Sequence, residues 1–297
     1  MSIYSQISSN RLKTFLIFGL FIFVISGFFY IVGQYYSSPT EYLILGFNFS
    51  LFSTAGSYFY SDKIVLFTTG AKSANKKQFF DFYTVTENLA IASGIPMPKL
   101  YVINDPSPNA FATGRDPKHA VVCVTTGLLE ILDRTELEGV IAHELSHVKN
   151  YDILISSVVA VLVGTLAIAS DWIMRSMWWG GRRNNDEDRG KNPLMIVLFF
   201  VALIIGPLVA TLIQLAISRK REYLADADGS LITRYPEGLA RALEKISTSP
   251  PMRNVSSSTA HLFISNPFKT KSKSSWLVNL FSTHPPIEER IKILRAM

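Results

Sequence analysis

The chain has 297 residues, 48% of them apolar, with a mean hydropathy of +0.24. Only 18% are Asp, Glu, Lys or Arg, below the roughly 25% usual for soluble domains. Such a composition excludes a disordered chain, and it argues against an ordinary single soluble domain, because this much apolar surface needs lipid or a very large core.

The apolar residues are concentrated. Four stretches carry no charged residue: Thr14 to Thr40, Tyr42 to Ser61, Ile153 to Ser170 and Asn192 to Ser218. Outside them the charged share returns to about a quarter, the ordinary value for soluble domains. About 20 apolar residues carry a helix across a bilayer, so each stretch is readable as a span. The third, 18 residues long, is the shortest, and a membrane-embedded hairpin arm remains open for it. The first is too long for a cleavable signal peptide and reads as a retained anchor. These stretches divide the chain into two anchors (14–61), a first polar piece (62–152), a second membrane hairpin (153–217) and a second polar piece (218–297). The two polar pieces are expected to fold together on one membrane face.

Within the first polar piece the spacing predicts a helix over Lys76 to Ser93, stopped by Gly94 and Pro96. Three β-type runs follow at Leu100 to Ile103, Ala110 to Thr113 and Ala120 to Thr125, separated by turn-rich NDPSPN and GRDPKH, and they read as a small antiparallel meander. A helix then opens on a capping box formed by Thr135 and Glu138. In the second piece, helices are expected over Glu222 to Ile232, over about Pro236 to Ser247, and from Pro285 onward, with a Ser- and Pro-rich loop over 248–275. The single cysteine, Cys123, precludes an intrachain disulfide and suits a domain facing the cytoplasm. Basic residues at the membrane ends, Arg11, Lys13, Lys63 and Arg219 to Arg221, place both polar pieces on that side. Arg175, Arg182, Arg183, Arg189 and Lys191, between the third and fourth stretches, point the other way.

The chemistry sits in His143-Glu144-Leu145-Ser146-His147. Two histidines four apart lie about 40° apart around a helix, so both imidazoles can reach one ion while Glu144 borders its open position. Zinc wants a third protein ligand and a water. A zinc-bound water acidifies towards a pKa of about 7, and Glu144 can take its proton during attack on a carbonyl and pass it to the leaving amine. A metzincin would need Gly at 150 and His at 153, but those positions hold Asn150 and Ile153. Glu222 is therefore the candidate third ligand. Asp226, four residues on, shares its helix face and can orient a ligating histidine. The histidines precede the third stretch and Glu222 follows the fourth, so the intervening chain must return to the same membrane face.

Several runs together resemble the HtpX family of membrane-bound zinc metalloproteases: LEGVIAHELSHVKNYD, SRKREYLADADG, NAFATG at Asn109 to Gly114 and STHPPIEERI at Ser282 to Ile291, behind two anchors. The resemblance covers nearly the whole chain in order. It implies an integral membrane protein of α+β class with about four transmembrane helices and a mainly helical, zincin-like catalytic domain containing a small antiparallel sheet. It further implies a gluzincin-type endopeptidase in the plasma membrane, its active site facing the cytoplasm, that acts in quality control of misfolded membrane proteins. By that likeness one zinc is bound by His143, His147 and Glu222, and Glu144 is catalytic. The expected partners are polypeptides, unfolded or membrane-embedded, and the lipid bilayer, with no nucleic acid. A processing protease of the CAAX-endopeptidase type and a catalytically inactive scaffold are the alternatives.

Two further motifs have open readings. The strand Asn109, Ala110, Phe111, Ala112 either holds an extended substrate by β-augmentation or is an ordinary sheet strand. His284 either donates to the developing oxyanion, with Arg290 steadying its segment, or is a packing histidine.

Overall fold

A computed structural model of the chain describes residues 3–35, 37–180, 219–250 and 285–297, together with 212, 262 and 264. His284, most of the 248–275 loop, and the fourth charge-free stretch apart from Leu212 lie outside those residues.

The first two stretches form an antiparallel hairpin of long helices, α1 (Ile3–Tyr35) and α2 (Pro39–Thr69). The first helix stops before Thr40 because Ser37 takes a left-handed φ of 57° and Pro39 begins the next helix. At 1.5 Å per residue α1 is about 50 Å long, more than the roughly 30 Å of bilayer hydrocarbon, so its end projects beyond the apolar layer. Large apolar side chains face outward on both helices, among them Phe15, Phe23 and Phe52, as in lipid contact. Small residues, Gly46, Ser50, Thr54, Ser57 and Ser61, form the buried face of α2 and let its neighbours approach closely. Among the described residues one segment, 7–34, is by itself long and apolar enough to cross a membrane.

The polar part is built on a four-stranded sheet: β1 (Lys72–Ser73), β2 (Lys99–Ile103), β3 (Ala110–Thr113) and β4 (Val121–Thr125), in the order β1-β2-β4-β3. It is not the expected antiparallel meander. β4 lies between β2 and β3, parallel to β2 and antiparallel to β3. The physical reason lies in β4 itself. Its five residues, VVCVT, are all buried, so it gains most from a central position with both faces covered. β3 is thereby sent to the sheet's end and serves as the crossover. Its alternating residues reach two cores. Ala110 and Ala112, with Leu100, Val102, Val122 and Val124, pack into the main core of the polar part. Phe111 and Cys123 point the other way, onto Val65 of α2 and Ala160 of the third charge-free stretch. The sheet therefore joins the first core to α2 and to the third charge-free stretch. Burial pushes the Cys123 thiol far above its ordinary pKa, so it is an inert packing residue.

Helix α3 (Phe80–Ser93) starts later than Lys76 and ends at Gly94 with φ 68°. After the short α4 (Thr126–Ile131), the motif-bearing helix α5 runs Arg134–Lys149. Its capping box is Asp133 with Glu136, two residues ahead of the expected Thr135 and Glu138. Both pairs have the required spacing, but Asp133 is the stronger acceptor, and Thr135 instead donates to it at 2.6 Å. At Asn150 and Tyr151, the latter with φ 60°, the chain bends by 84° into α6 (Asp152–Gly180), which contains the third charge-free stretch. Ile155, Val158 and Leu162 of α6 pack on Ile17, Phe21 and Ile25 of α1. The chain resumes in α7 (Arg219–Thr233), α8 (Pro236–Thr248) and α9 (Ile287–Leu294).

Candidate active site

Three donor groups converge where α5 crosses α7. His143, His147 and Glu222 offer atoms that all lie within 4.8 Å of one another. The two imidazoles are perpendicular (89°), with Nε2 facing Nε2 at 3.2 Å. Glu222 stands 3.7 Å from His143 Nε2 through Oε2, and 3.5 Å from His147 Nε2 through Oε1. The crossing is close because Gly229 faces the backbone of α5. A Cβ on it would meet His143 N at 3.1 Å. Glu222, Asp226 and Gly229 lie on one face of α7 by helical spacing, so the contact that packs the helices also delivers the carboxylates.

Each imidazole is held from behind. Asp226 Oδ1 is 2.9 Å from His143 Nδ1, and Asp152 Oδ2 is 2.9 Å from His147 Nδ1. A carboxylate there keeps the proton on Nδ1 and turns the Nε2 lone pair inward. Two lone pairs and a carboxylate crowded together repel one another and form a good donor set for a cation. Ligands about 2.0 to 2.1 Å from a tetrahedral zinc sit about 3.3 Å from one another, close to the separations found here. The residues present therefore fit a metal ion.

The surrounding carboxylates favour a positive charge at this point. Burial disfavours a charged His147, but Asp152, Glu222 and Glu144 outweigh it and push its pKa up to about 9. Burial also raises the pKa of Asp226, yet Arg290 and His143 overcome this and hold it at about 2. Arg290, fully buried on α9, grips Asp226 with two bonds, Nε at 2.8 Å and an Nη at 2.7 Å. Its other Nη reaches within 3.9 Å of Glu222. Removing one partner of a buried pair leaves the other charge uncompensated. Arg290→Met is accordingly expected to destabilise the fold by about 3 to 5 kcal/mol, read as a lowered midpoint of thermal or denaturant unfolding. A change below about 1 kcal/mol would show that Asp226 has other support.

Glu144, also buried, is the residue after His143 on α5. β3 packs against that helix through the shared core of Ala110, Ala112, Ile141 and Leu145. Its far end is fastened to α6, where Ser157 Oγ lies 2.7 Å from Thr113 Oγ1 and accepts Gly114 N–H at 3.1 Å. On the outer side of the strand, Ala110 O accepts from Ile264 N at 3.1 Å. Arg290 is not merely near the C-terminal segment but bonds directly to Asp226, while His284 falls outside the described residues.

Sequence reasoning missed three residues of this site. Asp152 opens α6 and was readable only as a helix N-terminal acid. Gly229 had a signal, a glycine two turns beyond Glu222 on the same face. Ser157 lies inside a charge-free stretch, where nothing marks it.

Known proteins resemble this chain along its whole length. The model of "Peptidase family M48" matches residues 76–297. A protease HtpX homolog of Caldanaerobacter subterraneus subsp. tengcongensis is 46% identical over 302 residues, covering 100% of this chain and 98% of that protein. One from Dictyoglomus turgidum is 46% identical over 295 residues, covering 99% and 94%. Among solved structures, the crystal structure of S. mikatae Ste24p shares the fold, with a TM-score of 0.51 at 17% identity, over 98% of this chain and 67% of that one.

Proposed function

We propose a mechanism from one premise: this chain belongs to peptidase family M48 and, within it, to the HtpX proteases. It is a membrane metalloprotease, an endopeptidase, and our reading concerns its metal, its working residues and its substrates. The carrying observation is the convergence of His143, His147 and Glu222, with both Nδ1 atoms held by carboxylates.

In this reading the metal is zinc, one per chain, and His143, His147 and Glu222 hold it. When bound, zinc supplies Lewis acidity and a water with a pKa near 7. The chain's own residues do the rest. Glu144 accepts the water's proton as the oxygen attacks the scissile carbonyl, then delivers it to the leaving nitrogen. Asp226 and Asp152 keep the imidazoles oriented throughout, and Arg290 neutralises the buried Asp226. His284 is the candidate donor to the oxyanion. β3, at the end of the sheet and against α5, is the candidate strand for an extended substrate, through Asn109 to Ala112, with the substrate taking the place of Ile264 N on Ala110 O. Pairing of that kind requires backbone without its own partners, which selects unfolded segments, and the membrane anchors bring misfolded or damaged membrane proteins within reach.

We place the active site on the cytoplasmic face of the plasma membrane, beneath about four spans with the domain limits 14–61, 62–152, 153–217 and 218–297. The outward apolar faces of α1 and α2 support the membrane placement, and the basic residues Arg11, Lys13, Lys63 and Arg219 to Arg221 support the cytoplasmic side. The decisive assay is zinc content together with cleavage of an unfolded reporter by the purified full chain. A chain that binds no zinc, or cleaves a folded reporter equally well, overturns the reading. Topology has its own test. A cysteine introduced within residues 182–189 is expected to be labelled only from outside the cell, and the native Cys123, fully buried, will not interfere. Labelling from the cytoplasm would replace two crossings by an embedded hairpin.

A further inference from the structure

We infer that Asn10, on the membrane anchor α1, is a positioning residue for the metal centre, acting on His147 through Asp152; this rests on the metal-site reading above. Asn10 lies 142 residues from Asp152 in sequence and is 3% exposed. Its amide nitrogen has two protons, and the structure gives each an acceptor. One goes to Asp152 Oδ1 at 2.8 Å and the other to the backbone oxygen of Asn150 at 2.9 Å.

Both acceptors matter to His147. Asp152 faces the imidazole with Oδ2 and would be free to turn about its side-chain bond if Oδ1 were untethered. Asn10 fixes Oδ1, assisted by Arg221 at 3.3 Å, and so keeps Oδ2 on Nδ1. The carbonyl of Asn150 lies at the bend where α5 ends, among the oxygens that a helix C-terminus leaves without intrahelical partners. By holding it, Asn10 also fixes the corner from which Asp152 projects. The neighbouring Arg11 lies over the Tyr151 ring at 4.9 Å, so two adjacent residues of α1 seat on this corner. A hydrophobic anchor needs no buried amide for packing. Burying one is costly unless its bonds are made, and here they are made to the residues behind a metal ligand. The anchor is part of the active site's support as well as a membrane tether.

The test uses the full-length chain loaded with zinc, challenged with a chelator, with metal quantified over time. Asn10→Leu, similar in size and without donors, is expected to lose zinc about 10-fold faster than the parent, at the lower end of the 10- to 100-fold that outer partners of metal ligands cost. With zinc restored in excess, kcat is expected to recover while KM stays within about twofold, because the substrate strand is untouched. Ile17→Ala, a packing change on the same helix face, should lower the unfolding midpoint yet leave zinc retention at the parent's level. If Asn10→Leu does not fold, Asn10→Ser, which keeps one donor, should show an intermediate loss. Retention by the Asn10 variant within twofold of the parent overturns the inference, as does an equal loss in Ile17→Ala. A parent chain that holds no zinc would overturn the metal-site reading instead.

Discussion

Glu144→Gln is expected to lower proteolysis by about 10²- to 10⁴-fold while zinc content remains at one per chain, the range that a positioned general acid-base contributes. The substitution keeps the volume of a residue that is 4% exposed while removing its negative charge and with it its ability to take a proton. The ligand atoms of His143, His147 and Glu222 converge independently of it, so the metal has no reason to leave. Cleavage of an unfolded reporter and metal analysis on the same preparation give the answer together. Proteolysis retained in Glu144→Gln would sink the proposed mechanism. Lost zinc would instead move Glu144 into the ligand set.

The second large effect is at Glu222. Glu222→Ala removes one of three converging donors and is expected to weaken zinc binding by more than the 10- to 100-fold seen for residues that only support ligands. It also leaves Arg290 with Asp226 as its remaining carboxylate within ion-pair reach among the described residues, so the fold should survive. The pair of measurements, metal affinity and unfolding midpoint, separates loss of a ligand from loss of structure. Full zinc occupancy in Glu222→Ala would transfer the third-ligand role to Asp226 or His284.

How far these residues were legible depends on their spacing. His143 and His147 are one helical turn apart, and Glu222 and Asp226 likewise, so each pair shares a face by helix geometry alone. Asp152 is only five residues from His147, but an 84° bend lies between them, and no periodicity passes through a bend. Asn10 is further still, and its contact exists only because α1 reaches the corner of α5 and α6. The strands show the same limit. Their apolar alternation is local and was readable. The insertion of β4 between β2 and β3 depends on which strand gains most from burial on both faces, and that is settled by the helices packed around it.

The sequence by itself determined the two materials of this protein, the helices that bear the metal-site residues, and the family, because composition, helical spacing and motif order are properties of neighbouring residues. Tertiary structure alone decided the sheet order, the depth of the α5 and α7 crossing at Gly229, and the partners behind each histidine. Those depend on approach between segments as much as 142 residues apart, where burial, close packing and the need to satisfy every buried polar group select among arrangements that local patterns leave equivalent.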